Sequence, residues 1–209
     1  MPTDKRQLIF RIVAVCMLPI ALLLLELGLR VADYGFPTDL AIKQTTNGIS
    51  TFQNNNKYVW RFFPSTIART AYPFSFPETK GENSYRIFIL GGSAAAGTPD
   101  GAFSFGRILH RLLSQQYRDI KFEVITLAMP AINSHVALEI AKECVDYEPD
   151  LLLVYLGNNE VVGPYGAGTV FAPLRGSLGF IRFGIALQET KLAQLFNNLT
   201  AGENGDDQP

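Results

Sequence analysis

The strongest hydrophobic pattern in the chain is a continuous apolar run near its start. Residues 8–29 are apolar except for Arg11 and Glu26, and about 20 such residues are needed to cross the hydrocarbon region of a bilayer. Basic side chains precede the centre of the run, which favours a cytoplasmic amino terminus. We therefore predict a transmembrane signal-anchor over 8–29, with residues 1–7 in the cytoplasm. The rest of the chain is then extracytoplasmic, and periplasmic in a Gram-negative cell.

Two other interpretations of this run stay open. A cleaved signal peptide needs a small-x-small cleavage site, whereas the run continues into ELGLRVADYGF. A buried core helix is the second alternative. Pro19 does not decide among the three, because membrane helices tolerate proline.

Residues 30–84 carry no long periodic pattern. The segment mixes TTNGIS and NNN with prolines and with aromatic clusters such as YVWRFF and YPFSFP. The turn-forming residues favour an extended connector, and the aromatic residues argue against disorder because they need a surface on which to pack. We expect a connector that lies on the following domain, with KYVWRFFP as a candidate short strand.

From residue 85 onward, short apolar runs alternate with helical periodicity. RIFIL is typical of a strand buried on both faces, and KFEVITLA and PDLLLVYLG indicate two more strands. FGRILHRLL and NSHVALEIAKECVDY lie between them and have apolar residues at helical spacing. Strand, helix, strand, helix, strand is the pattern of βαβ units in a parallel sheet. We predict an α/β domain over 85–199, with a further helix in ALQETKLAQLFNNL, and a disordered tail at 200–209.

The spacing also predicts which helical side chains face the core. In the first helix these are Phe105, Ile108, Leu109, Leu112 and Leu113, and in the second they are Val136, Ile140, Ala141 and Cys144. Asn133 or Ser134 is expected to cap the second helix, because short polar side chains accept hydrogen bonds from the first free N–H groups of a helix.

Composition narrows the classes of function. The net charge of −1 gives no reason to expect a nucleic-acid partner or an acidic substrate. The two cysteines, Cys16 and Cys144, lie far apart in the apolar run and in a helical pattern, so we predict neither a disulfide nor a metal site. Nothing in the sequence implies an organic cofactor.

The loop GGSAAAGTP after the first strand admits three chemical interpretations. A Walker loop has lysine where Thr98 stands, and a dinucleotide-binding fingerprint has a second glycine where Ser93 stands. A serine on a tight turn after a buried strand fits a nucleophile better, and GGSAA is close to the G-x-S-x-G elbow of α/β-hydrolases. In that fold, however, several strands precede the nucleophile, whereas Ser93 follows the first strand of this sheet.

Three loops, each after its own strand, resemble the blocks of the SGNH (GDSL-type) hydrolase family. GGS at 91–93 corresponds to G-D-S with glycine for aspartate, AMPAINS loosely matches the second block, and GNNE at 157–160 corresponds to G-x-N-D with glutamate for aspartate. The resemblance covers residues 85–168 and implies a three-layer, parallel-sheet SGNH/flavodoxin-like domain, of which about three strands are recognisable. GNNEVVGPYG also resembles membrane-anchored bacterial members.

The resemblance implies roles for three residues. Ser93 would attack an ester carbonyl and form an acyl-enzyme, and the side-chain amide of Asn159 would donate to the oxyanion. The backbone N–H groups of Ser93 and Ala131 would complete the oxyanion hole, although glycine is usual at the position of Ala131. The implied function is a membrane-anchored ester hydrolase or acyltransferase acting on an acylated carbohydrate or a lipid ester. Ser93 as a mere helix start and Asn159 as a turn residue are the structural alternatives.

The catalytic base is missing from this pattern. The family takes its aspartate and histidine from a D-x-x-H block, which the chain lacks, and its only histidines are His110 and His135. His110 lies within a predicted helix, and His135 begins the next one, where capping or surface exposure is the alternative to catalysis. We therefore expect a fragment of a longer enzyme, or a truncated product, with little or no hydrolysis on its own. The alternative from another class is a non-catalytic, membrane-anchored interaction or scaffold module.

Overall fold

The computed structural model describes residues 5–169 and 177–201, which fall into two units. One unit combines the two ends of the chain, up to Phe36 and from Phe183 onward, and the other comprises residues 37–182. The helices of the terminal unit are α1 (Lys5–Val31), the second half of α5 (Leu178–Gln188) and α6 (Lys191–Ala201).

Helix α1 contains the predicted apolar run. Its segment Phe10–Val31 is long and apolar enough to cross a membrane, and none of its most apolar window is buried within the protein. A helix that is apolar on all sides is typical of a core or membrane helix, and the exposure of α1 argues against the core alternative.

The last predicted helix is divided in two. The sequence favoured one helix over 186–199, but the helix is interrupted: α5 ends at Gln188 and α6 begins at Lys191. Thr190 Oγ1 accepts the N–H of Ala193 at 3.1 Å and caps α6, because a threonine side chain competes for the first free N–H groups of a helix. Residues 200 and 201 end α6, and the remainder of the tail predicted at 200–209 lies outside the described residues.

The segment expected as a connector forms a small antiparallel sheet. Its strands are β1 (Ala41–Thr46), β2 (Ile49–Asn54) and β3 (Ser75–Pro77), in the order β1-β2-β3. Asn47 and Gly48 join β1 to β2 with positive φ angles of 52° and 79°, which suits the tight two-residue hairpin turn that Asn-Gly favours. The prediction of a short strand in KYVWRFFP is wrong, because Tyr58–Arg61 is a 3₁₀ helix.

The predicted parallel sheet is confirmed. It contains β4 (Ser84–Gly91), β5 (Lys121–Ala128) and β6 (Leu151–Tyr155), in the order β5-β4-β6. The intervening helices are α2 (Ser93–Ala96), α3 (Phe105–Gln116) and α4 (Ser134–Cys144). The chain passes from β4 to one neighbour and then crosses to the other side, so a topological switch point lies between β4 and β6.

Two of the side chains predicted to face the core do not. Phe105, Leu109 and Leu113 of α3 pack against the core beside β4 and β5, whereas Ile108 and Leu112 are exposed. Residues four apart lie nearly above one another on a helix, so the three packed residues form one narrow stripe. The other two lie beside this stripe and do not reach the sheet.

Strand β6 is open on one side. It pairs with β4, and no other strand pairs with it among the described residues. Its apolar side chains are correspondingly accessible, with Val154 63% and Tyr155 56% exposed. By contrast, every residue of β4 from Arg86 to Gly91 is buried.

A fully buried arginine joins the two sheets. Arg86 at the start of β4 has no exposed surface, and its Nε lies 2.7 Å from Oε2 of Glu123 on β5. Its terminal nitrogens donate to the carbonyls of Pro77 at 3.0 Å and Tyr147 at 2.8 Å. The guanidinium also lies 5.2 Å from the ring centre of Phe76 in β3, a distance at which a cation is attracted to an aromatic face.

We predict that Arg86→Met lowers the free energy of unfolding by about 3–5 kcal/mol, because it leaves the buried Glu123 carboxylate without its counter-charge. Lys43→Met is the matched control. It breaks the ion pair with Glu78, in which the lysine side chain is half exposed, and should cost less than about 1 kcal/mol. Urea denaturation of both variants measures the difference, and equal losses would contradict a structural role for Arg86.

Candidate functional site

The three loops singled out in the sequence meet at one edge of the parallel sheet. In the register of the strands, Gly91 at the end of β4 lies opposite Ala128 of β5 and Tyr155 of β6. The loops that follow these residues therefore start side by side. Ligands of open α/β sheets bind beyond the carboxyl ends of the strands, at the switch point, which here lies between the loops after β4 and β6.

The first loop depends on glycines for close packing. A Cβ atom on Gly91 would lie 2.4 Å from Cβ of Ala95 and 2.6 Å from the carbonyl oxygen of Tyr155. Gly97 has φ +82°, and a Cβ there would lie 2.3 Å from the backbone nitrogen of Ser104. Between them, Ser93 is the first residue of α2 and is half-buried. The serine is thus held on a tight turn directly after the central strand, as predicted.

Asn159 from the third loop lies above this turn. Its Nδ2 is 3.4 Å from the position that a Cβ on Gly92 would occupy, and it donates to the carbonyl of Ile132 at 3.2 Å. Ser93 and Asn159 line the same small pocket, together with Gly92, Ala94, Ile132, Tyr155, Leu156, Gly157 and Asn158. Its volume of about 20 Å³ suits one water-sized group.

Ala131 lies on the neighbouring turn, outside that group of lining residues. It is exposed and has φ +63°, the left-handed conformation that strains an L-residue with a Cβ atom. The structure therefore brings two of the three predicted site residues into one pocket. The next residue, Ile132, provides the wall of the pocket and the acceptor for Asn159. A role for the Ala131 N–H stays a prediction.

The second and third loops are held together by side-chain hydrogen bonds. Glu160 accepts the Ser134 N–H at 2.9 Å and the Ser134 hydroxyl at 2.6 Å, and Asn133 Nδ2 donates to the carbonyl of Pro164 at 2.8 Å. Glu160 thus caps α4 from a distant part of the chain, and its charge suits the positive end of the helix. Asn133 occupies the capping position, which is one of the two predicted, but its side chain does not make the expected capping bond.

Neither histidine is hydrogen-bonded to Ser93. His110 Nε2 lies 3.1 Å from the carbonyl of Phe122, near the start of β5 and so at the opposite edge of the sheet. The ring of His135 lies 6.3 Å from that of Tyr165. Burial raises the pKa of Tyr165 above its usual value near 10, so its phenol stays protonated at neutral pH.

Ser93 Oγ has no hydrogen-bond partner among the described residues. The same residues, 5–169 and 177–201, contain no group of three or more His, Cys, Asp or Glu side chains placed to hold a metal ion. The site therefore combines a hydroxyl on a tight turn with a fixed amide donor. A group that would remove the serine proton is not among the parts described.

No protein-family model, curated protein or solved structure matches the chain. The resemblance to SGNH hydrolases therefore stays a prediction.

We predict that Ala131→Gly stabilises the protein by up to about 1 kcal/mol, because glycine adopts a left-handed conformation without strain. Ala141→Gly, within helix α4, is the matched control and should destabilise by about 1 kcal/mol. Thermal unfolding measures both changes. A loss of stability in both variants would show that the turn at Ala131 is not held in a left-handed conformation.

Proposed function

We propose that residues 85–169 carry the nucleophile and the oxyanion donor of an SGNH-type serine ester hydrolase or acyltransferase, anchored in a membrane by α1. The observation that carries this proposal is the shared pocket of Ser93 and Asn159. It lies at the switch point between β4 and β6 and has room for one small group. The three-layer SGNH/flavodoxin-like arrangement is part of the proposal, and the strand order β5-β4-β6 supports it.

The amide of Asn159 is suited to an oxyanion. An asparagine NH₂ group has two N–H donors, and the bond to the Ile132 carbonyl uses one of them and fixes the orientation of the amide. The second is left for a substrate oxygen. The N–H of Ser93 at the start of α2 is a further donor, because the first N–H groups of a helix have no acceptor within it. One well-placed donor contributes about 3 kcal/mol in the transition state.

In the proposed reaction, Ser93 Oγ bonds to the carbonyl carbon of an ester, and the carbonyl oxygen becomes the oxyanion held by Asn159. The alcohol then leaves with a proton, and water or a second alcohol takes the acyl group from the serine. The serine proton must pass to a base. Because no described side chain accepts it, we expect the chain alone to turn esters over slowly or not at all.

The anchor places this chemistry at a membrane surface. The basic residues before the centre of α1 support an amino terminus in the cytoplasm and a catalytic unit outside it. An acylated carbohydrate of the cell envelope or a lipid ester is then the substrate class within reach.

A non-catalytic anchored module is the second candidate. It is favoured by the lack of a described partner for Ser93 Oγ and by the small pocket, which leaves room for little more than one oxygen. In that case the loops would serve as a binding surface, and Ser93 would only be the first residue of helix α2.

We predict that a fluorophosphonate at alkaline pH modifies Ser93 faster than the exposed Ser65 or Ser114. In this reaction the serine oxygen bonds to phosphorus, fluoride leaves, and hydroxide takes the serine proton and becomes water. The alkaline solution thus supplies the base that the described residues lack. Asn159→Ala should slow the labelling of Ser93 about 100-fold, because one oxyanion donor is lost. Peptide mass spectrometry of timed samples gives the rate at each serine.

Asn158→Ala is the matched control, since Asn158 is on the same turn and lines the same pocket, but is exposed and makes no side-chain hydrogen bond to a described residue. It should leave the labelling rate nearly unchanged. Equal rates at all three serines, or equal effects of the two asparagine variants, would contradict the proposed oxyanion site and favour the non-catalytic module.

A further inference from the structure

The carboxylate of Glu26 lies within the apolar segment of α1, where a charged group needs partners. Its oxygens accept the N–H groups of Lys191 at 3.2 Å and Leu192 at 2.9 Å, the first two residues of α6. Arg30, one turn further along α1, donates to it at 2.7 Å. The one acidic residue of the apolar run therefore accepts the first two N–H groups of a helix from the other end of the chain, in addition to the cap that Thr190 provides.

Further hydrogen bonds hold α6 against the end of α1. Gln194 accepts the N–H of Phe36 at 2.9 Å and donates to its carbonyl at 3.1 Å, and Lys191 Nζ donates to the same carbonyl at 2.9 Å. One turn later, Asn198 donates to the Tyr34 hydroxyl at 2.9 Å. These contacts fix one face of α6 along the segment that leaves α1.

A different face of α6 is apolar and exposed. Leu192, Phe196 and Leu199 follow at helical spacing, and Phe196 and Leu199 are 66% and 74% exposed. The second half of α5, which belongs to the same unit, likewise exposes Phe183 and Leu187. In water, two such helices would leave large apolar side chains uncovered.

The position of Glu26 gives the depth of these helices if α1 spans a membrane. Glu26 precedes the end of the apolar segment at Val31 by five residues, which is about 7.5 Å along a helix. The start of α6 is bonded to Glu26 and must lie at the same depth. Amphipathic interfacial helices insert their apolar face to about 5–10 Å, so the two depths agree.

We propose that α6, with the second half of α5, is an interfacial helix pair whose apolar side chains insert into the lipid layer crossed by α1, and that Glu26 fixes the pair at this depth. The proposal rests on the proposed membrane anchor. It gives the chain a second contact with the bilayer.

The test uses the full chain in phosphatidylcholine vesicles, with the fluorophore NBD on single cysteines. Cys16→Ala supplies the background, because the other cysteine, Cys144, is buried. Label is placed through Phe196→Cys, through Leu22→Cys in α1, and through Asn197→Cys as the matched control on the polar side of α6. Quenching by lipids with a nitroxide near the headgroup or deep in the acyl chain reports the depth of each site.

We expect the label at position 196 to be quenched by the shallow nitroxide, the label at 197 to be quenched much less, and the label at 22 to be quenched by the deep nitroxide. Glu26→Leu should reduce quenching of the label at 196 and leave that of the label at 22 unchanged, because the start of α6 loses its hydrogen bonds to α1 while α1 becomes more apolar. This result would support the interfacial helix pair.

Quenching at 22 with equal, weak quenching at 196 and 197 would overturn the interfacial pair and leave the anchor intact. No quenching at 22 would overturn the anchor and the pair together. Disulfide cross-linking between chains at 196, without lipid quenching there, would show that a second copy covers this face and would also overturn the proposal.

Discussion

The buried ion pair between Arg86 and Glu123 is the interaction on which both sheets of the unit formed by residues 37–182 depend. An unpaired charge in this position would cost several kcal/mol, so the groups around Arg86 must stay in place to satisfy it. They come from β3, from β5 and from Tyr147 in the 3₁₀ turn Val145–Tyr147, which precedes β6. One side chain at the start of the central strand thus constrains the antiparallel sheet and all three parallel strands.

The candidate site lies at the other end of the same strand. Gly91 ends β4 in register with its two neighbours, and the loops beyond it are connected by hydrogen bonds of Asn159, Glu160 and Asn133. A catalytic donor is effective when it is held in place before the substrate arrives. The buried strand and the connected loops hold the Asn159 amide in place in this way, before any substrate is bound.

The sequence allowed the parallel sheet and the meeting of Ser93 with Asn159 to be predicted, because both follow from local patterns. Apolar runs separated by helical periodicity indicate βαβ units, and parallel strands bring the loops at their carboxyl ends together. The Asn-Gly pair at 47–48 was also a readable hairpin signal, although the flanking residues are too polar to stand out as strands.

Other features depend on contacts between distant residues. Nothing near Arg86 indicates that Glu123, 37 residues later, will pair with it, and Glu160 caps a helix that begins 26 residues before it. Glu26 is 165 residues from Lys191. In the sequence it is visible only as a charged residue within an apolar run, and its bond to α6 could not be predicted. The helical spacing of the apolar residues in α3 also predicted a wider buried face than the sheet covers, since Ile108 and Leu112 are exposed.

The joint placement of Ser93 and Asn159 is tested most directly by a crystal structure of the protein phosphonylated on Ser93. The phosphoryl oxygen is predicted to occupy the small pocket, within hydrogen-bond distance of Asn159 Nδ2, about 2.7–3.2 Å. A phosphoryl oxygen that points to solvent, with the Asn159 amide bonded elsewhere, would contradict the oxyanion site and with it the proposed reaction.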